Sequence, residues 1–238
     1  MLAQSADLSH PPSYTSLQIP AGKPLHLGPV QANAAVSNAT LYRFASVSGV
    51  GSALILLVNA AKRSALIPTT DLTQLLAPFA EVMALGLITG LFLAFGRRAG
   101  RFGTVAFIVN FIALASLVGV EVVINLVFSK LPVTAITDLR AGPLGIFLTI
   151  SSLLFLLGTL AFVVSLAVGR DVPRLPLALY FIGATPIALR AFVPELALDL
   201  GLVILAAAIA WLAGWLWVRA SAVDGITLDS ETALTAQN

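Results

Sequence analysis

From residue 42 onward the chain is a succession of long apolar blocks parted by short charged breaks, and this alternation leaves few folds open. The blocks cover about residues 44–61, 72–95, 102–128, 143–168, 175–192 and 196–218. A helix needs about 20 residues to cross a hydrocarbon core of about 30 Å, and each block meets or approaches that length. Lipid offers no partner to open backbone groups, so helix is the economical conformation for such runs. The polar alternation of barrel strands is missing. The reading is an all-α, polytopic transmembrane helical bundle over 42–219, with six spans and both termini on the same side.

Composition agrees. The chain has 238 residues, 58% hydrophobic and 10% charged, against roughly 45–50% apolar and about 25% charged in a soluble domain. A mean hydropathy of +0.98 makes the lipid bilayer the expected solvent for much of the surface. The net charge of +2 comes from scattered arginines, so no nucleic-acid partner is expected. Absence of cysteine excludes structural disulfides, thiol catalysis and cysteine-held metal clusters. His10 and His26 both precede the first block, which removes histidine-held haem and di-iron sites from the membrane region. Lys23, Lys62 and Lys130 fall outside the block centres, so a retinal Schiff base has no lysine. Neither a GxxxxGK[ST] phosphate loop nor a GxSxG elbow is present. Ser151 and Ser152 lie inside the fourth block with no histidine or lysine to activate them. No cofactor and no metal are expected, and the balance is against an enzyme. The excess of arginine over lysine suits a GC-rich bacterial genome, and hence an inner (cytoplasmic) membrane.

Pro11, Pro12, Pro20, Pro24 and Pro29 interrupt any helix in residues 1–41, which read as a disordered cytoplasmic tail. Residues 220–238 read as a second, C-terminal one. With six spans, one side gathers Lys23, Arg43, Arg97, Arg98, Arg101, Arg170, Arg174 and Arg219, and the other Lys62, Arg63, Lys130, Arg140 and Arg190. The positive-inside rule then places both termini in the cytoplasm. Trp211, Trp215 and Trp217 read as an interfacial aromatic belt. The fifth block is short and carries Pro176 and Pro186, so a kink is expected near Thr185 and full spanning is left open. The brief Pro194-Glu195 break predicts a tight antiparallel hairpin of the last two blocks.

Ionisable groups inside apolar blocks are functional candidates, because each costs a few kcal/mol in the bilayer. Glu81 and Glu121 qualify. Asn110 precedes Glu121 by eleven residues and Asn125 follows it by four, spacings that put all three on one helix face. Arg190 closes the fifth block, and Glu195 and Asp199 open the sixth on the same, outer side. The expectation is an outward-facing polar pocket lined by Glu81, Glu121, Asn125, Arg190 and Asp199, with Asn110 on the same face as a further ligand-binding candidate. The competing expectation is structural. Interhelical polar bonds average about 0.6 kcal/mol and fix register, acids suit helix N-termini, and an arginine can snorkel to the interface. Gly86 and Gly90 form a GxxxG pattern that permits close helix approach, within the bundle or in a homo-oligomer.

Several features carry a likeness: Arg43 ahead of Gly49, an acidic Glu81 in the second block, the run Val172-Pro173-Arg174-Leu175-Pro176-Leu177, and Pro194 before the last block. On these, residues 41–219 resemble a family of uncharacterised bacterial six-helix membrane proteins, a domain of unknown function. The resemblance implies the architecture and no activity, and it supplies no catalytic residues. The proline-rich tail is longer than that family's pattern implies.

Three functions stay open on the sequence. A binder or transporter of a small molecule or lipid needs a cavity that both glutamates face. A non-catalytic partner subunit or scaffold needs a tight bundle with paired glutamates. A membrane enzyme needs an acid–base pair within about 3 Å of a substrate atom.

Overall fold

The computed structural model describes residues 38–235, with side-chain surroundings described as far as Ala222. The N-terminal tail expected over 1–41 falls almost wholly outside the described residues. All regular structure among the described residues is helical. It comprises α1 (Asn38–Arg63), α2 (Asp71–Ala94), α3 (Gly100–Val122), α4 (Val133–Ala141), α5 (Pro143–Val168), α6 (Arg174–Ala188) and α7 (Glu195–Thr235). A 3-10 turn, Gly96–Ala99, precedes α3, and a π segment, Val123–Val127, extends it. Five helical stretches are long and apolar enough to cross a membrane: Asn38–Arg63, Asp71–Ala94, Gly96–Lys130, Pro143–Val168 and Glu195–Ala222.

The long helices close into a ring in which each packs on the next in the order α1, α2, α3, α5, α6, α7, with α7 returning to α1. The ring carries large apolar residues on its outside, while its mostly apolar interior also holds polar groups. Phe44, Leu54, Leu153 and Leu157 are exposed, whereas Ser46, Ser52, Asn59, Glu81, Asn110, Glu121, Ser151, Thr159 and Ser165 are buried. Such an apolar exterior suits lipid as solvent, since apolar area facing hydrocarbon carries no penalty.

Small residues set the approach of the helices. A Cβ at Gly90 would collide with Ala45 Cβ, and one at Gly86 would collide with Ser48 Oγ. The GxxxG face of α2 is therefore occupied by α1 of the same chain. Gly183 of α6 meets α7, where an added Cβ would lie 2.8 Å from the Gly201 carbonyl oxygen. This is the antiparallel hairpin expected from the short Pro194 break. Arg63 pairs with Glu195 and Asp199 at one end of α1, and Arg43 lies 5.9 Å over the Trp217 ring at the other, so α1 and α7 are antiparallel as well. Of the tryptophans, Trp211 and Trp217 are exposed, and Trp215 packs 4.6 Å from the Phe95 ring.

Three segments differ from the sequence reading. The break at 129–142 contains α4, a nine-residue helix that starts after Pro132 and stops at Gly142; it is too short to register as a span. The fifth block ends at Ala188 rather than 192. Pro186 removes a backbone donor there, and Thr185 Oγ1 donates back to the Phe181 carbonyl at 2.8 Å, a bond that bends or ends helices. The backbone of α7 stays helical to Thr235, where an irregular tail was expected from residue 220. The sequence beyond Pro194 contains no proline to interrupt it.

Candidate functional site

Ser52, Leu56, Asn59 and Arg63 recur at intervals of four, three and four residues, so they form one stripe along α1. The stripe faces the ring's centre. It meets Glu81 of α2, Leu117 and Glu121 of α3, Tyr180 of α6 and Arg190 of the following turn around a cavity of about 50 Å³. A water needs roughly 10–15 Å³ of such space, so this cavity takes a few waters or one small ion. Phe155 and the α7 leucines Leu202 and Leu205 make the rest of the wall apolar.

The two glutamates are treated differently. Both oxygens of Glu121 are engaged: Arg190 Nη1 donates to Oε1 at 3.0 Å, and Asn125 Nδ2 donates to Oε2 at 2.7 Å. Asn125 also donates to the Glu121 carbonyl at 3.0 Å, where α3 widens into its π segment, and its Oδ1 accepts from Lys62 Nζ at 2.9 Å. Such π segments recur at functional sites. The result is a chain of bonds, Arg190–Glu121–Asn125–Lys62, that ties the turn after α6 to α3 and α1. Glu81 Oε2, by contrast, has no partner, and neither has Ser52 Oγ; the residues are 9% and 0% exposed. A buried polar group without a partner costs about 1–3 kcal/mol, which makes these two atoms the ones that would gain from an occupant.

The remaining candidates divide. Asp199 does not line the cavity; it accepts from Arg63 Nε at 3.2 Å and, with Glu195, holds that guanidinium at the rim. Asn125 acts one step back, through Glu121. Asn110 shares the helix face of Glu121 but not its site. It is fully buried against α5, where its Oδ1 accepts from Thr159 Oγ1 at 3.2 Å and Gly158 lets the backbones approach. Its Nδ2, equally buried, has no partner. Ser52, Lys62, Arg63 and Tyr180 were not singled out from the sequence, and Asn59 only as a polar group at the outer end of the first block. The regular Ser52–Asn59–Arg63 spacing was the signal, but Lys62-Arg63 read only as a block end.

No family model matches the chain, and no curated protein or solved structure matches it significantly. The arrangement itself limits the chemistry. The cavity lining contains no histidine and no lysine to activate Ser52. An acid beside an unpartnered hydroxyl, with an ion pair next to them, is suited to holding a proton, water or a small polar group.

Proposed function

We propose that this chain crosses a bacterial inner membrane six times, with both termini in the cytoplasm, and binds or moves a small solute through the central cavity. Glu81 is the group that meets the solute or a proton, and Glu121 with Arg190 forms the outer closure. The observation that carries this reading is the pair of unpartnered buried atoms, Glu81 Oε2 and Ser52 Oγ, on residues that line one cavity. The sixth span is α6. Its 15 residues reach about 22 Å, so its flanking turns complete the crossing.

A second reading, a non-catalytic membrane partner or scaffold, draws on the full pairing of Glu121 and the small size of the cavity. A ligand screen by thermal shift, run across pH on wild type, Glu81→Gln and Glu121→Gln, separates the two. The binding reading predicts ligand- or pH-dependent shifts that the variants lose. Indistinguishable behaviour of all three proteins would leave the scaffold reading.

A further inference from the structure

A second, larger space opens where α5 outruns α6. The 26 residues of α5 extend about 39 Å and the 15 of α6 about 22 Å. At the Glu121 end, α5 therefore faces the unwound turn after Ala188 across the sparsest seam of the ring. Non-helical backbone at membrane depth is tolerated where it is buried in protein or lines a cavity, and here it lines a crevice of about 550 Å³. That volume is typical of sites for small organic ligands, about 300–1,000 Å³.

The crevice has a charged end and an apolar body. Arg63, Arg140 and Arg190 line it against one carboxylate, Glu195. Arg63 is taken up by Glu195 and Asp199. Arg140 is not: it lies 5.3 Å over the Phe128 ring and makes no ion pair among the described residues. Arg190 gives Nη1 to Glu121, and a guanidinium has five N–H donors. Beyond these heads the walls are Ile124 of the π segment and Leu148 and Leu153 of α5.

We propose that this crevice binds a single-chain amphiphile with an anionic head, carboxylate or phosphate, the head at Arg140 and Arg190 and the chain along Leu148 and Leu153. Arg140, which makes no ion pair among the described residues, selects the anion with the remaining N–H donors of Arg190, and the apolar wall and volume select one chain. Arg190, Arg63 and Leu198 line both this crevice and the central cavity. A head at Arg190 competes with Glu121 for that guanidinium, and so links the crevice to the cavity. The inference rests on the membrane-spanning reading of α5 and α6, and it does not require solute binding at Glu81.

The test uses the full chain in phosphatidylcholine nanodiscs, with affinities read by calorimetry. The probes are a long-chain fatty acid, an alkyl phosphate and an alcohol of equal chain length, and inorganic phosphate. Both anionic amphiphiles should bind at least tenfold more tightly than the alcohol, and inorganic phosphate should not compete; a preference between the two heads identifies the source. Arg140→Gln should weaken the anions at least fivefold and leave the alcohol unchanged, whereas Arg97→Gln at the far end should change nothing. Equal binding of acid and alcohol, full competition by inorganic phosphate, or an unaffected Arg140→Gln would overturn the proposal. Should Arg140→Gln not fold, Leu148→Trp fills the crevice: loss of binding supports the site and retained binding overturns it. Glu81→Gln should keep amphiphile binding, so failure of the central-cavity reading is seen separately.

Discussion

Arg190 Nη1 donates to Glu121 Oε1 at 3.0 Å, and this bond stands between the central cavity and the crevice beside α5. It joins the turn after a helix that stops short to the one carboxylate in α3. Removing either partner strands the other in a partly buried place. Loss of one partner from a fully buried pair costs about 3–5 kcal/mol. The two side chains are 24% and 11% exposed, so screening lowers the expected cost of Glu121→Gln or Arg190→Gln to about 1–3 kcal/mol. Thermal unfolding in detergent measures it. The double variant should lose less than the sum of the single losses, and strict additivity would dissolve the pair.

Glu81→Gln should behave in the opposite way. Its Oε2 has no partner to lose, and glutamine keeps the shape of the side chain without an ionisable group among leucines. The melting temperature should hold or rise, even as ligand- or pH-dependent behaviour disappears. A loss comparable to that of Glu121→Gln would show that Glu81 is a structural tie instead.

The glycines offer a paired comparison. Gly183→Ala drives a methyl into the backbone of α7, with the Gly201 oxygen 2.8 Å away, whereas nothing lies within 4 Å of a Cβ at Gly214. The first substitution should cost about 1–3 kcal/mol by overpacking. The second should be neutral or stabilising by up to about 1 kcal/mol, from helix propensity. Equal melting temperatures would contradict the close α6–α7 contact.

Thr159→Val removes the hydroxyl that bonds Asn110. The expected loss is small, about 0.6–1.7 kcal/mol, as for other interhelical bonds in membranes. Ligand and pH responses should not change, because neither residue lines the central cavity. A changed response would bring Asn110 back into the site.

The sequence contains no cysteine, so single introduced cysteines report sidedness without background. Ser129 and Arg101 are exposed near opposite ends of the third helical stretch. With the termini cytoplasmic, an impermeant thiol reagent on intact cells should label Ser129→Cys and spare Arg101→Cys. The reverse pattern would invert the proposed orientation.

Much of the fold was legible because spans are written in composition. Blocks of about 20 apolar residues became α1, α2, α3, α5 and α7, with α2 and α5 close to their expected bounds and α7 running on to Thr235. The exceptions have local causes that an apolarity scan does not weigh. Pro186 and the Thr185 back-bond end α6 early, and α4 is too short and charged to resemble a span. The glutamates were visible because charge is rare in lipid, and Arg190 because it ends a block. The periodicity that put Asn110 and Glu121 on one face was right about direction. It could not say which neighbour each would meet, since that depends on the order of the ring. The α1 stripe was less visible: Ser52 and Asn59 are weakly polar, and their meaning comes from standing opposite Glu81.

Glu81 lines a cavity together with Glu121, and the proposed function requires that it exchange what it holds there. Infrared difference spectroscopy of the full chain in nanodiscs, stepped in pH, reads side-chain carboxyl groups directly. A carboxyl band should appear with the pH step, be absent in Glu81→Gln, and shift in Glu121→Gln. A Glu81→Gln spectrum superimposable on that of wild type would contradict it.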